Sequence, residues 1–392
     1  MQLNSDRLDR IDGMMEAWIE EKKFPGGAVL ISQGGDIEKF STYGTMDGAS
    51  QPVEEDTLYR YFSMTKPITV AAAFVLYERG AFLLDDPINE LWPEMEKLRV
   101  YVSGEGENMV TKVPDSYPTV LDLMMHTAGF YYAYSDHPAH MKLKSLELPG
   151  VGASISEVAL MIADAPLMFE PGAQWSYGYS QDVLAGLVEY LAGEPYDAFV
   201  RRELFEPLGM DDFGYNVAPG NLDRLMNLYV LNEAGEYAEK TEDISWLSED
   251  RVTWGGTGLV GDARGYWRFA RMLMQGGKWK GKKILSKASV DFMLSNHLAE
   301  DELPYEAPGS PYERFAKGYG FGGAVKVMVN PELAGNLTSV GEAGWSGAAS
   351  THFWLVPEHD VVIIFFTQNR GYLEIQPLAE KVKAAVYQSL IE

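Results

Sequence analysis

Strand patterns lie at both ends of this chain, and a mainly helical stretch separates them. Near the start, residues 26–32 and 37–43 are apolar runs on either side of a Gly-rich turn, which predicts a β-hairpin. Further strand patterns come late in the chain, at 319–329, 337–342, 351–357 and 361–367. Because a domain packs its elements around one core, we expect an antiparallel sheet that both ends of the chain build together.

Helical patterns fill much of the rest. Apolar residues recur at helical spacing over 8–22, and a final helix is expected over 374–391. The helical patterns between the two strand regions lie at 67–79, 118–126, 155–165, 181–191 and 195–208. We therefore predict an α+β fold, with an antiparallel sheet flanked by terminal helices and a mostly helical subdomain. Residues 1–60 and 250–392 would form the sheet subdomain and 61–249 the helical one, with the active site between them.

The composition restricts the partners and the compartment. Among 392 residues, 57 Asp and Glu outnumber 32 Lys and Arg, which gives a net charge of −25. That charge repels nucleic acid and anionic membranes, so we expect neither as a partner. The chain has no cysteine, which excludes disulfides and thiolate chemistry. The first residues lack a signal-peptide pattern and no apolar stretch is long enough for a membrane span, so a cytoplasmic location is expected.

A Ser-x-x-Lys tetrad begins the long apolar helix. Ser63 and Lys66 are three residues apart, so both side chains lie on one face of a first helical turn. A serine becomes a nucleophile when a base takes its proton, and a buried lysine with a lowered pKa can be that base. The helix N-terminus adds free backbone N–H groups for a developing oxyanion. The tetrad favours covalent catalysis, and the alternative is a chance occurrence in a long chain.

Two further segments contain residues suited to such a site. Residues 171–180 form a turn-rich stretch that exposes Tyr177, and a tyrosine beside a lysine can act as a general base. The alternative for Tyr177 is a packed ring with a bonded hydroxyl. Residues 344–348 are mostly small, so a substrate can approach a strand edge where a backbone N–H binds an oxyanion. The alternative for this segment is a β-bulge or a tight turn.

Other motifs do not support a competing chemistry. Residues 256–261 match G-x-G-x-x-G but lack a surrounding βαβ unit, so glycine turns before a helix capped by Asp262 explain them better. His137 and His140 have metal-ligand spacing, but a proline interrupts the helical face and no third ligand is evident. His126 ends a helical pattern and is expected to be structural. We therefore expect neither a metal nor a cofactor.

The order of these motifs resembles that of a known superfamily. Ser63-x-x-Lys66, then Tyr177, then Trp-Ser-Gly from Trp345, is similar to the pattern of serine β-lactamases and penicillin-recognising enzymes. Within that superfamily the chain most resembles the class C β-lactamase-like esterases, often called family VIII carboxylesterases. The supporting segments come in the expected order, at 56–60, 123–129, 207–210 and 255–259.

The resemblance implies a role for each motif. Ser63 would be the acylated nucleophile, and Lys66 would take the Ser63 proton or lower the pKa of the Ser63 hydroxyl. Tyr177 would be the partner base that also protonates the leaving alcohol. The backbone N–H groups of Ser63 and Ala348 would form the oxyanion hole. The implied β-lactamase/penicillin-recognising fold agrees with the layout expected from the strand and helix patterns.

Departures from the superfamily pattern favour esters over β-lactams. Trp345 stands where most relatives carry the lysine of Lys-Thr-Gly, so the cation for a β-lactam carboxylate is missing. Tyr179 stands where relatives carry the asparagine of Tyr-x-Asn. We expect a serine carboxylesterase for small-molecule esters with short-chain or aromatic groups. The amide-directed alternatives (weak β-lactamase, D-aminopeptidase, amide-oligomer hydrolase) and a transacylase share the motifs and stay open.

Five residues are expected to bind the substrate. They are Trp345, Ser346, Gly347, Tyr179 and Tyr131. The aromatic residues of 130–134 could line a substrate pocket or could simply pack the helical subdomain, and the sequence does not distinguish the two. Nor does the sequence indicate an oligomeric state.

Overall fold

Both ends of the chain contribute strands to one antiparallel sheet. The computed structural model describes residues 1–232, 236–239, 246, 248–298 and 316–391. In chain order the strands of this sheet are β1 (Gly26–Gln33), β2 (Asp36–Gly44), β3 (Tyr319–Phe321), β4 (Lys326–Met328), β5 (Ala343–Gly347), β6 (Thr351–Val356) and β7 (Val361–Phe366). Their spatial order is β3-β4-β5-β6-β7-β1-β2. Because the late strand β7 pairs with the early strand β1, the predicted sheet built from both ends is confirmed.

Successive residues of the sheet strands alternate between two hydrophobic cores. In β1, Ala28 and Leu30 belong to the core that the helical part of the chain covers. Their neighbours Val29 and Ile31 belong to a second core on the opposite face of the sheet. Both faces of the sheet are therefore buried, which explains why its central strands are continuous apolar runs.

Helices from the two ends of the chain cover the second core. The helices Arg10–Glu20 and Tyr372–Ser389 pack there, and Ser5–Leu8 precedes them as a short first turn. The segments Gln2–Leu3 and Leu390–Ile391 pair as short antiparallel strands and so join the two termini. The predicted terminal helices on the sheet are confirmed.

The part of the chain between the strand regions is mainly helical. Its helices are Lys66–Glu78, Ile88–Leu91, Val120–Met125, Pro138–Lys144, Ile155–Ile162, Ser180–Ala192, Tyr196–Val200, Glu206–Leu208, Ala263–Met274 and Lys287–Met293. The central helix, Lys66–Glu78, is buried along residues 66–76. A helix that is apolar on all sides lies in the middle of a domain. This one packs against the helix Ser180–Ala192 and shares a core with Ala28 and Leu30 of the sheet.

Short elements connect these helices and strands. Pairs of short strands form between Leu58–Arg60 and Val260–Asp262, Val100–Ser103 and Val110–Lys112, Tyr229–Leu231 and Tyr237–Glu239, and Lys278–Trp279 and Lys282–Lys283. Single 3-10 turns are Phe62–Thr65, Pro93–Lys97, Gly106–Asn108, Pro219–Arg224, Pro331–Leu333 and Pro357–His359, and Arg201–Phe205 is a π-helical turn. The predicted cap of the helix Ala263–Met274 is confirmed, because Asp262 accepts the Gly265 N–H at 2.7 Å.

The structure corrects three sequence predictions. Residues 319–329 form the hairpin β3–β4 and not one strand, because the chain turns at Ala324 with a φ of 58°. Residues 337–342 are not a strand; the next strand is β5. The helix expected over 195–208 is interrupted by a π-helical turn.

The boundaries proposed for the two subdomains, at residues 60 and 250, stay predictions. In the described part of the chain, no helix combines the length and the apolar character needed to cross a lipid bilayer.

Candidate active site

The turn before the central helix presents Ser63. The 3-10 turn Phe62–Thr65 leads directly into that helix, and Thr65 Oγ1 accepts the N–H of Leu259 at 3.1 Å. Phe62 has a φ of 47°, in the left-handed region that a non-glycine residue occupies only where its surroundings hold it. Ser63 therefore follows a backbone conformation that the tertiary structure maintains.

Lys66 connects three groups of the site. Its Nζ lies 3.2 Å from Ser63 Oγ, 3.2 Å from the Tyr132 hydroxyl oxygen and 2.7 Å from the Gly256 carbonyl oxygen. A neutral amine has two N–H donors and one lone pair. Neutral Lys66 can therefore donate to Gly256 and Tyr132 while its lone pair faces the Ser63 hydroxyl. This is the arrangement of a base that can take the Ser63 proton.

Burial brings the pKa of Lys66 into the range that a base needs. Desolvation of the fully buried ammonium lowers the pKa of Lys66 from 10.5 to about 7, and the negative charge of Asp182 acts in the opposite direction. Neutral amine is therefore present near neutral pH, which suits general-base catalysis.

The ring of Tyr177 contacts the same Lys66 amine. The Lys66 Nζ is 4.5 Å from the centre of the Tyr177 ring, within the range of a cation–π contact. Tyr177 comes from the turn before the helix Ser180–Ala192. The structure thus brings Ser63, Lys66 and Tyr177 together around one amine.

Tyr132 belongs to this cluster, although the sequence does not single it out. Its hydroxyl bonds to Lys66, and its ring contacts those of Tyr177 and Tyr179 at centroid distances of 5.5 and 4.7 Å. The aromatic run at 130–134 is the available signal. A run of aromatic residues does not indicate which ring faces the site.

The two predicted oxyanion donors come from neighbouring elements. The N–H of Ser63 lies in a first helical turn, where intrahelical acceptors are lacking. Ala348 directly follows Gly347, the last residue of β5. Gly347 lies so close to the backbone of Tyr61 that a Cβ on Gly347 would overlap the Tyr61 carbonyl oxygen. The end of β5 therefore runs beside the turn that carries Ser63, as an oxyanion hole made from these N–H groups requires.

Adjacent residues of β5 face opposite sides of the sheet. The Trp345 ring contacts those of Tyr177 and Phe321, at centroid distances of 5.7 and 5.4 Å. Trp345 therefore lies on the same face of the sheet as the cluster of Ser63, Lys66 and Tyr177. The Ser346 hydroxyl lies on the other face, 2.7 Å from Nδ1 of the buried His352. Substrate binding by Ser346 can therefore involve only its backbone.

The two other tyrosines predicted to bind substrate differ in position. Tyr179 lies beside Tyr132, and its ring is 6.0 Å from that of Trp254. Tyr131 is 5% exposed, and its hydroxyl oxygen lies 2.9 and 3.0 Å from the carbonyl oxygens of Ala139 and Pro166. Tyr131 is therefore packed within the helical part, and its contact with substrate stays a prediction that this burial does not favour.

Comparison with known proteins identifies the family. The model of the beta-lactamase family matches residues 9–388. The chain belongs to the beta-lactamase family. It is 29% identical over 359 residues to Protein Rv1367c of Mycobacterium tuberculosis (strain ATCC 25618 / H37Rv), which covers 90% of this chain and 88% of that protein. It is 26% identical over 397 residues to Esterase EstB of Burkholderia gladioli, with 96% of this chain and 94% of EstB covered.

A solved structure supports the beta-lactamase fold. EstCE1, described as a hydrolase with promiscuous acyltransferase activity, superposes with a TM-score of 0.83 at 23% identity. The superposition covers 98% of this chain and 99% of EstCE1. The β-lactamase/penicillin-recognising fold expected from the sequence is therefore confirmed.

In this beta-lactamase family member, His126 lies beside the cluster of Ser63, Lys66 and Tyr177. It is fully buried, and its ring centre is 5.0 Å from that of Tyr177. Burial, together with the nearby charge of Lys66, lowers the pKa of His126 well below 6.5, so the ring is neutral. His126 ends the helix Val120–Met125 with a φ of 60°, which agrees with the structural role expected for it.

The described residues contain no cluster of three or more His, Asp or Glu side chains that could hold a metal ion. His137 Nδ1 accepts the Ala139 N–H at 3.2 Å and so caps a helix. His140 Nδ1 lies 2.7 Å from Ser135 Oγ. Both histidines of the H-x-x-H spacing have local structural partners.

Proposed function

We propose that this protein is a serine carboxylesterase that hydrolyses small esters with short-chain or aromatic groups through an acyl-enzyme on Ser63. One observation carries the proposal: the Ser63 hydroxyl lies 3.2 Å from a fully buried Lys66 amine, and burial lowers the pKa of that amine to about 7. Membership of the beta-lactamase family and similarity to Esterase EstB support a serine hydrolase.

The first half of the reaction is acylation. Lys66 takes the Ser63 proton while Ser63 Oγ forms a bond to the ester carbonyl carbon. The carbonyl π electrons move onto the carbonyl oxygen, where the N–H groups of Ser63 and Ala348 stabilise the negative charge. When the C–O bond of the ester breaks, Tyr177 gives a proton to the leaving alcohol and regains one from the Lys66 ammonium.

The second half is deacylation, which uses the same groups with water in place of the alcohol. As the water oxygen attacks the acyl carbon, Tyr177 takes a proton from that water and at the same time passes its own hydroxyl proton to the neutral Lys66 amine. The tetrahedral intermediate then breaks its bond to Ser63 Oγ. Lys66 returns the proton to Ser63, so the acid product leaves and the enzyme is restored.

The aromatic surroundings of Ser63 support an uncharged substrate. The Trp345 ring in β5 contacts the rings of Tyr177 and Phe321. Trp345 offers an apolar surface where a β-lactam carboxylate needs a cation. An alkyl or aromatic acyl group fits such a surface better than a charged group does.

Hydrolysis of p-nitrophenyl butyrate by wild type and Ser63→Ala tests the proposal, with nitrocefin as a parallel substrate. We expect ester turnover that Ser63→Ala abolishes, and little nitrocefin cleavage. Ser103→Ala changes an exposed serine and is the matched control. Nitrocefin cleavage as fast as ester cleavage would favour the amide-directed relatives, and activity that survives in Ser63→Ala would refute the nucleophile assignment.

A transacylase is the second candidate, because the structurally similar EstCE1 is described as having promiscuous acyltransferase activity. A transacylase passes the acyl group to an alcohol by the same acyl-enzyme. Adding benzyl alcohol to the p-nitrophenyl butyrate assay separates the two functions. Butyric acid as the main product supports the esterase, and benzyl butyrate as the main product supports the transacylase.

Several finer assignments also belong to this proposal. The Trp-Ser-Gly segment at Trp345 supports a place near the family VIII carboxylesterases. A cytoplasmic location, a small-molecule ester as the partner, and the lack of nucleic-acid and membrane partners remain predictions from the sequence.

A further inference from the structure

A buried carboxylate lies behind Lys66. Asp182 is 0% exposed. Its Oδ1 accepts the Gly256 N–H at 2.8 Å, whereas its Oδ2 has no hydrogen-bond partner within the described residues. A buried carboxylate with one bonded oxygen destabilises a fold unless a nearby positive charge compensates it. Packing alone therefore does not explain why the Asp182 carboxylate is buried.

Stabilisation of its own helix does not explain the burial of Asp182. Asp182 lies in the first turn of the helix Ser180–Ala192, where a negative charge interacts favourably with the helix dipole. An exposed carboxylate supplies that stabilisation without the desolvation cost. Glu157 does so in the first turn of Ile155–Ile162.

The backbone of Gly256 joins Asp182 to Lys66. Its N–H bonds to the Asp182 carboxylate, and its carbonyl oxygen accepts the Lys66 amine at 2.7 Å. A Cβ on Gly256 would lie 2.7 Å from Asp182 Oδ2 and 3.1 Å from the Tyr132 hydroxyl oxygen, so these groups are packed closely around the glycine. A displaced carboxylate would therefore move the carbonyl that holds the amine.

We propose that Asp182 is a positioning residue for the acylation of Ser63. Its carboxylate holds the Gly256 backbone, whose carbonyl orients the Lys66 amine toward the Ser63 hydroxyl. Its negative charge also stabilises the ammonium that Lys66 becomes when it takes the Ser63 proton. This inference deepens the function proposed above and rests on it.

Several other titratable groups face Asp182 and Lys66, and most of them stay neutral. Burial raises the pKa of each tyrosine near Asp182, so these tyrosines stay neutral; they are Tyr132, Tyr179, Tyr196 and Tyr215. His126 faces Lys66 and is neutral for the reason given above. Tyr177 also faces Lys66. Burial raises the pKa of Asp182 from 3.8 to about 6, so a pH profile can report proton changes on both Lys66 and Asp182.

The substitution Asp182→Asn tests the inference, because it keeps the size and an acceptor oxygen for the Gly256 N–H but removes the charge. The readout is the rate at which a fluorophosphonate labels Ser63 across pH, with kcat and KM for p-nitrophenyl butyrate. We expect labelling and kcat to fall about 10-fold or more while KM stays within about twofold. We also expect the acid limb of the pH–rate profile to move about one pH unit lower, because loss of the Asp182 charge lowers the pKa of the Lys66 amine.

The matched control is Asp197→Asn, which removes the same charge from an exposed position on the helix Tyr196–Val200 and should leave the profile unchanged. If Ser63 of Asp182→Asn is labelled at the wild-type rate at every pH, the inference is overturned. A lower rate with an unmoved acid limb would also overturn it, since it indicates a structural role only. Failure of the wild type to label at Ser63 would instead refute the proposed function.

A second variant covers the case in which Asp182→Asn does not fold. Asp182→Glu keeps the charge but moves the carboxylate relative to Gly256. We expect a lower labelling rate with the acid limb in its wild-type place. Wild-type labelling rates in Asp182→Glu would contradict a positioning role.

Discussion

At the scale of single residues, two tyrosines contact the Lys66 amine in different ways. The Tyr132 hydroxyl oxygen lies 3.2 Å from the amine, whereas Tyr177 presents its ring face at 4.5 Å. In the proposed reaction the Tyr177 hydroxyl gives and takes protons, while the Tyr132 hydroxyl only orients the amine. Substitution of each tyrosine by phenylalanine keeps the ring and removes the hydroxyl, so it separates the two roles.

We expect Tyr177→Phe to lower kcat for p-nitrophenyl butyrate about 100-fold or more, which is the usual contribution of general acid–base catalysis. Tyr132→Phe should lower kcat only about 10-fold, as expected for the loss of one hydrogen bond. Steady-state kinetics of both variants, with circular dichroism to confirm folding, checks this prediction. The reverse order of effects would make Tyr132 the partner base.

The sequence could predict part of this site and not the rest. Ser63, Lys66 and Tyr177 can be predicted, because spacing within a helical turn and the order of motifs are properties of the chain itself. Tyr132 and Asp182 cannot be predicted in this way, because they come near the Lys66 amine only when separate elements pack together. Burial also decides their chemistry, and a local pattern does not report how deeply a single polar residue lies.

At the scale of elements, the end of β5 must stay in contact with the turn before the central helix. Gly347 is the point of contact, since any side chain there overlaps the backbone of Tyr61. Thr351 at the start of β6 donates its hydroxyl to the same Tyr61 carbonyl at 3.3 Å. The position of the Ala348 N–H relative to Ser63 therefore depends on a glycine outside the catalytic residues.

We expect Gly347→Ala to lower kcat/KM about 100-fold, because displacement of the Ala348 N–H removes one oxyanion donor. The added methyl group should also lower the free energy of unfolding by about 1–3 kcal/mol. Gly335→Ala is the control, since a Cβ on this exposed glycine meets no atom within 4 Å. Ester kinetics and urea unfolding of both variants provide the measurement. Wild-type kcat/KM in Gly347→Ala would show that this contact does not position the oxyanion donor.

Burial on both faces makes the central strands easy to predict, whereas the prediction at 337–342 fails at exposed apolar residues. The long, mainly apolar runs of β1, β6 and β7 identify these strands because burial on two faces leaves few polar positions. Residues 337–342 contain two large apolar side chains, but Leu337 and Val340 are 47% and 65% exposed. Apolar residues in a short segment form a strand only if a core is present to bury them, and the local sequence does not contain that information.

At the scale of the whole molecule, the fold requires some buried groups to stay neutral. His352 in β6 is fully buried, and its ring stacks on Trp354 at a centroid distance of 5.6 Å. Burial lowers the pKa of His352 to about 3, opposed by the charge of Glu380 and assisted by that of Lys326. The rings that His352 contacts, Trp354 and Phe365, belong to the core between the sheet and the terminal helices. Proton uptake by His352 therefore acts on the stability of the entire fold.

The direction of the pH effect follows from the two pKa values of His352. In the unfolded chain a histidine has a pKa of about 6.5, above the folded-state value, so the unfolded state binds the proton first as pH falls. The stabilisation from neutral His352 is therefore complete above about pH 6.5 and is lost progressively toward about pH 3. At about pH 5 the loss amounts to about 2 kcal/mol, because one pKa unit corresponds to about 1.4 kcal/mol.

The substitution His352→Asn removes this titration and keeps an amide where Nδ1 bonds to Ser346. Urea unfolding of both proteins at pH 7.5 and pH 5 measures the effect. We expect the variant to be less stable at pH 7.5, since it leaves a cavity, but to lose about 2 kcal/mol less than wild type between the two pH values. The many carboxylates that titrate in this range are common to both proteins, so the difference isolates His352. Equal losses in the two proteins would mean that a proton on His352 is accommodated in the folded state, and that the interface between the sheet and the terminal helices admits water.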